Sequence, residues 1–291
     1  MPTNSERRAA AKRNLDQQVQ QRAEAARKQR RLLMIVGAVA AVLLMAGVVF
    51  VVLRDDGDAG NINASGSSES SAASPAPTGG AGQLPKFTAS PELGANCQYP
   101  KARPASKAVE PPRSGKVPTD PAEVSVSMMT DQGPIGLMLS NAQSPCTVNS
   151  FISLAAKDFF KDTQCHRLTT SPTLSVLQCG DPAGDGTGGP GYEFANEYPT
   201  DQYESGDPAA QRPVTYPRGT VAMANAGPGT NGSQFFLVYR DSMLPPQYTV
   251  FGKIQDDGLA TLDKIAEAGV QGGADDGPPA VKVTVKSVQA D

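Results

Sequence analysis

Eight short apolar runs of strand length, two stretches of helical periodicity and abundant glycine and proline predict a mainly β domain over residues 122–291, an antiparallel barrel with two flanking helices. The 29 glycines and 25 prolines together make 54 of 291 residues. That is about 19% against a usual sum near 12%, which favours loops and short-stranded β structure over a helical bundle and excludes coiled coils and helical repeats. Periodicity alone fits a sandwich almost as well as a closed barrel. Ahead of the domain the sequence predicts a basic segment at 1–31, a single transmembrane helix at 32–53, a flexible Gly/Ser/Ala-rich tether at 54–83 and a proline-rich extended arm at 84–121.

Residues 1–31 carry nine basic and three acidic side chains, a net charge of +6. The 22 residues from Leu32 to Leu53 then contain no charge and no proline. At 1.5 Å per residue they are long enough to cross about 30 Å of hydrocarbon. A signal peptide is the rival reading, but its apolar run is shorter, about 7 to 15 residues. The first cysteine, Cys97, lies too far on to carry a lipid at the span. The cations before the span, with Asp55, Asp56 and Asp58 just after it, place the N-terminus in the cytoplasm and the rest outside. Beyond the span stand 17 basic and 26 acidic residues, net −9, a balance that repels nucleic acid. The tether is too poor in apolar residues to offset its ordering entropy. The arm holds eight prolines, with Cys97 and Tyr99 as its anchors on the domain.

Within the domain, Val124 to Thr130 and Ile135 to Leu139 alternate around a turn of Asp131, Gln132, Gly133 and Pro134, a hairpin pattern. Val148, Phe151, Ile152 and Ala155 fall at helical spacing behind a Ser144-Pro145 start signal. A second helix is predicted at Leu259 to Ala268, stopped by Gly269. Strands are predicted at Gln164 to Thr169, Leu174 to Gln178, Thr220 to Ala224, Gln234 to Val238, Thr249 to Ile254 and Val281 to Val288.

The four cysteines suit an oxidising compartment. With no Cys-x-x-Cys pair and the single His166, a metal site is not expected. Four cysteines allow three connectivities. Cys165 with Cys179 is preferred, because both lie on strands read as antiparallel neighbours, which leaves Cys97 to pin the arm to Cys146.

Hydrolytic chemistry has no visible catalyst. His166 is the only imidazole and sits mid-strand, where a buried and satisfied role is expected, and no carboxylate pair stands out. Gly184 to Gly189 formally matches GxGxxG, but Pro190 and Gly191 follow instead of a helix, so a turn-rich loop is expected. The run from Gly219 to Lys253 is denser in polar and aromatic residues. Alternation puts Gln234 and Phe236 on one face and Phe235 on the other, so one aromatic packs inside and the other lines a surface. An exposed Phe beside Gln and Asn is the composition of a peptide groove.

Four segments in order, Cys165-His166-Arg167-Leu168, Gln178-Cys179-Gly180-Asp181, Met223 to Phe236 and Tyr248-Thr249-Val250-Phe251-Gly252-Lys253, resemble the signature segments of cyclophilins. The resemblance covers the C-terminal domain only. It implies a closed eight-stranded antiparallel barrel capped by two helices, peptidyl-prolyl cis-trans isomerase activity without a cofactor, and proline-containing peptides or proteins as partners of a monomeric domain. The whole chain resembles membrane-anchored cyclophilin-type isomerases of high-G+C Gram-positive bacteria. By resemblance Arg167 is the catalytic arginine, with Gln178 beside it. Ala224, Asn225 and Ala226 form the substrate-backbone edge, and Gln234, Phe236, Leu244 and Tyr248 complete the groove and its proline pocket.

These residue types suit the chemistry. Rotation about Xaa-Pro faces a barrier of about 18 to 20 kcal/mol because the nitrogen lone pair is shared with the carbonyl. A guanidinium aimed at that nitrogen withdraws the lone pair and stays charged at any working pH. No proton transfer or covalent step is required. Two departures from the pattern stand out. Ten residues separate Arg167 from Gln178, about three more than is common, so that Leu174, Ser175 or Val176 must fill space that a Phe-Met pair otherwise takes. Met243 stands where tryptophan is frequent, which predicts weak cyclosporin binding. The leading expectation is an anchored, extracytoplasmic isomerase acting on exported or envelope proteins. The alternative is a catalytically slow module of the same fold that binds proline-containing partners at the envelope. A purely structural role gives no reason for Arg167, Gln178, Asn225, Gln234 and Phe236 to coexist.

Overall fold

The computed structural model describes residues 82–291. The basic segment 1–31, the predicted transmembrane helix 32–53 and residues 54–81 of the tether lie outside the described residues. Among the described residues no helix is long and apolar enough to cross a membrane.

Among the described residues twelve strands and two α-helices follow in chain order: β1 (Gly82–Gln83), β2 (Val124–Thr130), β3 (Gly133–Leu139), α1 (Pro145–Ala156), β4 (Arg167–Thr169), β5 (Val176–Cys179), β6 (Val214–Tyr216), β7 (Thr220–Met223), β8 (Phe235–Val238), β9 (Ser242–Leu244), β10 (Val250–Ile254), α2 (Asp256–Ala268), β11 (Asp276–Gly277) and β12 (Val285–Ala290). The hairpin β2–β3 keeps strict register from Val124 opposite Leu139 to Thr130 opposite Gly133, so its turn tightens to Asp131 and Gln132. Val126, Met128 and Thr130 point inward, whereas Met129 between them is exposed, the two-residue period of a half-buried strand.

The eight strands predicted from alternation are contiguous in one sheet of order β11-β4-β5-β8-β7-β10-β3-β2-β12, to which the two-residue β11 adds an edge. The sheet is a curled half-barrel rather than a fully closed eight-stranded barrel. Its ends approach where Gln164 bridges Thr284 and where the main chain of Asp162, Thr163 and Cys165 bonds that of Val283 and Val285. The chain ahead of β4 is thus bonded on both sides, with Gln164 bridging Asp181 and Thr284, but these bridges are isolated and do not extend into a ladder. A second sheet, β1-β6-β9, was not expected. Its strands have two or three residues, too few to show a period, and β1 takes up Gly82 and Gln83, the last residues assigned to the flexible tether.

Helix α1 buries Val148, Phe151, Leu154 and Ala155. Phe151 meets Phe235 and Phe251 with ring centroids 5.3 Å apart, an aromatic centre on which sheet and helix close. The Ser144 hydroxyl does not cap this helix; it donates to the carbonyl of Val250. The buried Glu197 carboxylate serves instead, accepting from the N–H groups of Cys146 and Thr147 and from the Thr147 hydroxyl. Helix α2 starts three residues earlier than periodicity predicts, with Asp256 and Asp257 in its first turn, where negative charge suits the helix dipole. Gly269 ends it at φ 77°, a conformation that disfavours a side chain.

The arm packs into the same core. Cys97, Tyr99 and Val117 are buried, Cys97 is bonded to Cys146 at the start of α1, and the Tyr99 hydroxyl donates to the Cys146 carbonyl at 2.7 Å. The second disulfide joins Cys165 to Cys179.

Candidate active site

Register across four strands builds the site. Arg167 on β4 stands opposite Gln178 on β5, Gln178 opposite Phe236 on β8, and Phe236 opposite Ala222 on β7. Directly paired residues share a sheet face, so these four side chains form one row. The neighbouring row, Leu168, Leu177, Leu237 and Val221, faces the opposite way and is completely buried in the main core. A one-residue slip would exchange the two rows, and the apolar row therefore fixes the polar one.

A directed chain of hydrogen bonds runs along the site. Arg167 Nη1 donates to Oε1 of Gln178 at 3.2 Å, and Gln178 Nε2 donates to Oε1 of Gln234 at 2.8 Å. Gln234 Nε2 ends it on the carbonyls of Gly186 and Gly188, at 3.0 and 2.9 Å. The glycine-rich stretch is a loop, as its sequence predicts, but it also supplies the acceptors that orient Gln234.

Arg167 is also held by a residue that sequence reasoning missed. Its Nε and Nη2 donate to Oδ1 and Oδ2 of Asp276 on β11, each at 2.7 Å. The carboxylate raises the Arg167 pKa further, and the guanidinium holds Asp276 below the ordinary carboxylate range. The only local signal at Asp276 is a turn composition, Gly-Gly-Ala-Asp-Asp-Gly, which gives no reason to expect a partner 109 residues away.

Phe236 corrects the sequence reading. It is 4% exposed and not a surface aromatic, because the outer face of β8 is covered by a second apolar cluster that includes Tyr198, Val214, Tyr216 and Val250. Leu244 and Tyr248 pack against that cluster, and the Tyr248 ring meets Phe236 edge-on at 5.7 Å. Tyr216, also missed, accepts from the N–H of Tyr248 and reaches the carbonyls of Pro245 and Tyr248, so it pins the segment that carries Tyr248. Val176 is buried in the cluster and Leu174 packs on it, while the Ser175 hydroxyl donates to the Ser171 carbonyl and its N–H to the Ser242 hydroxyl. The two apolar residues thus fill the space that the sequence left to Leu174, Ser175 or Val176.

Ala224, Asn225 and Ala226 follow β7 and border a cavity of about 170 Å³ together with Gln178 and Gln234. The Asn225 side chain is used internally, donating to the Gln247 carbonyl at 2.9 Å and accepting from the Gly227 N–H. Among the described residues its main-chain N–H and C=O carry no hydrogen bond. Arg103 and Pro104 of the arm line the same cavity. Ser106 donates its N–H to the Gly189 carbonyl and its hydroxyl accepts from the Gly189 N–H, so the arm braces the glycine-rich loop.

His166 lies just ahead of β4, half-buried, and among the described residues its Nδ1 has no partner, in place of the satisfied mid-strand histidine expected. Burial lowers its pKa, against the opposing influence of Asp181. A neutral imidazole leaves one bare nitrogen at less cost than a charged one. Among the described residues no cluster of acidic, histidine or cysteine side chains could hold a metal ion.

The family model described as cyclophilin type peptidyl-prolyl cis-trans isomerase matches residues 125–290. The chain is 72% identical over 211 residues to a protein of Mycobacterium tuberculosis named "Probable peptidyl-prolyl cis-trans isomerase B", a match covering 72% of this chain and 68% of that one. A protein of the same name from Mycobacterium leprae is 69% identical over 209 residues, covering 72% and 71%. A "Peptidyl-prolyl cis-trans isomerase" of Helicobacter pylori is 37% identical over 146 residues, covering 50% of this chain and 81% of its own length. The mycobacterial matches exceed the family match in length and so take in chain ahead of residue 125.

Proposed function

The chain belongs to the cyclophilin-type peptidyl-prolyl cis-trans isomerases, and from that premise we propose which residues carry the isomerisation and where in the cell it takes place. Arg167 is the catalytic group. After its bonds to Asp276 and Gln178 the guanidinium retains one N–H on each Nη, and one of these donates to the prolyl nitrogen as the amide twists. That bond strengthens as the lone pair leaves conjugation, so the stabilisation is greatest in the transition state. The proline ring rests in the pocket of Phe236, Leu244 and Tyr248, and the substrate chain pairs with the free main-chain groups of Asn225.

The observation that carries this reading is the cross-strand row of Arg167, Gln178 and Phe236, which sets the cation, its orienting amide and the apolar wall on one face. The experiment is isomerisation of a short Xaa-Pro peptide by the purified full-length chain, wild type beside Arg167→Ala. Loss of most turnover in a folded variant is expected; unchanged turnover overturns the assignment.

The site of action in this proposal is outside the cytoplasmic membrane, on exported or envelope proteins. Two features support it: the uncharged 22-residue stretch behind a +6 segment, and four cysteines paired as two disulfides, which persist in oxidising compartments. Alkylation of unreduced protein from cells tests it: no labelled thiol is expected, and four labelled thiols would overturn it.

A further inference from the structure

We propose that Asp276 is a positioning residue for the isomerase reaction, acting through Arg167. The inference rests on the reading of Arg167 as the catalytic group. An arginine side chain has four rotatable bonds, and left free it samples many orientations of its fork. Here the fork is fixed from two sides. The edge carrying Nε and Nη2 is matched to both oxygens of Asp276 at 2.7 Å, and Nη1 is tied to Gln178 at 3.2 Å. Two parallel bonds between planar groups set the guanidinium plane as well as its position.

The backbone makes this possible. Asp276 pairs with Thr169 and Gly277 with Leu168, so Asp276 lies on the same face as Arg167, one diagonal step away along the sheet edge. The Thr170 N–H donates to the Asp275 carbonyl at 2.9 Å and secures the approach to β11. Both partners keep solvent contact, with side chains 37% and 54% exposed, so the pair does not serve to fill the core. Non-covalent catalysis of this kind depends on donors already aimed where electron density develops, and Asp276 aims the donor without touching the substrate.

The test compares the wild type, Asp276→Asn, Arg167→Ala and the double variant, all as the full chain, by exchange spectroscopy on an Xaa-Pro peptide. Thermal unfolding and the NMR signal of the Arg167 Nε–H are recorded alongside. Asp276→Asn keeps the shape of the side chain but can accept on only one oxygen. Its kcat is expected to fall about tenfold with KM within twofold, its Nε–H is expected to lose protection from exchange, and in the Arg167→Ala background the same change should have no further effect. Activity of Asp276→Asn equal to or above wild type overturns the inference. So does an equal fractional loss in the Arg167→Ala background, which would mark a general structural role. If Asp276→Asn folds poorly, Asp276→Glu decides: a protected Nε–H with kcat closer to wild type supports positioning, and a protected Nε–H with no recovery of kcat opposes it. An Arg167→Ala variant as active as wild type would instead remove the premise, and that result is separable from any behaviour of Asp276.

Discussion

Gln178 donates its Nε2 to Oε1 of Gln234 at 2.8 Å, and this bond gives the site a direction. Arginine can only donate at one end of the chain, and the carbonyls of Gly186 and Gly188 can only accept at the other. Both amides therefore have a single orientation that satisfies all partners. The guanidinium is linked through two side chains to a loop that the arm braces through Ser106.

That polarity makes Gln234→Glu informative. The substitution replaces the donating nitrogen with a second acceptor, which then faces two carbonyl oxygens. Stability is expected to fall by about 1 to 3 kcal/mol, the usual cost of unpaired polar groups. Turnover should fall with it as the carboxylate, repelled by the carbonyls of Gly186 and Gly188, withdraws from Gln178. Urea unfolding and peptide isomerisation check this, and wild-type values in both would show that the amide chain is dispensable.

Phe236 has a packing role and, in the proposed site, a binding role, and substitution can separate the two. It is buried against Tyr216 and Tyr248, with centroids 6.4 and 5.7 Å away. Phe236→Ala is expected to destabilise the fold by about 3 to 5 kcal/mol through the cavity it leaves. Peptide affinity should also weaken by about 1 to 3 kcal/mol, from lost apolar contact. Calorimetric titration with a proline peptide, at a temperature where the variant is fully folded, reads the second effect; undiminished affinity would place the pocket elsewhere.

The two disulfides close loops of different length. Cys97 and Cys146 are 49 residues apart and Cys165 and Cys179 are 14 apart. In the chain-entropy treatment their removal costs about 4 and about 3 kcal/mol respectively. Paired Cys→Ser variants measured by urea unfolding should therefore rank in that order. The reverse order would mean that the arm keeps its docking without the Cys97–Cys146 bond.

Glu197 predicts a pH dependence. Burial pushes its carboxyl up to about 7 from an ordinary 4.5, against the three donors at the start of α1, which favour the charged form. The folded state therefore holds this proton more tightly than the unfolded state. The resulting stabilisation is complete below about pH 4.5 and is lost as pH rises through about 7, an effect of about 3 kcal/mol at 1.36 kcal/mol per unit. Stability of Glu197→Gln should lack this slope. An identical slope in the variant would assign the dependence to another group.

Eight strands and two helices were legible because alternation, helical spacing and Gly/Pro punctuation are local signals. The four ordered motifs likewise brought Arg167, Gln178, Asn225, Gln234 and Phe236 to attention together. The strands β6 and β9 were not legible, since three residues cannot display a period. Their absence from the reading produced the error at Phe236, whose outward face is covered by an apolar cluster built partly on β6. The cap of α1 comes from Glu197, 50 residues beyond Thr147, and the fork on Arg167 comes from Asp276, 109 residues away. Sequence by itself determined the eight longer strands, the two helices and the ordered motifs that carry the family resemblance, because each is written in neighbouring residues. Tertiary structure alone decided which groups hold those residues in place, because a hydrogen bond between strands depends on sheet order and register and leaves no periodic trace in the chain.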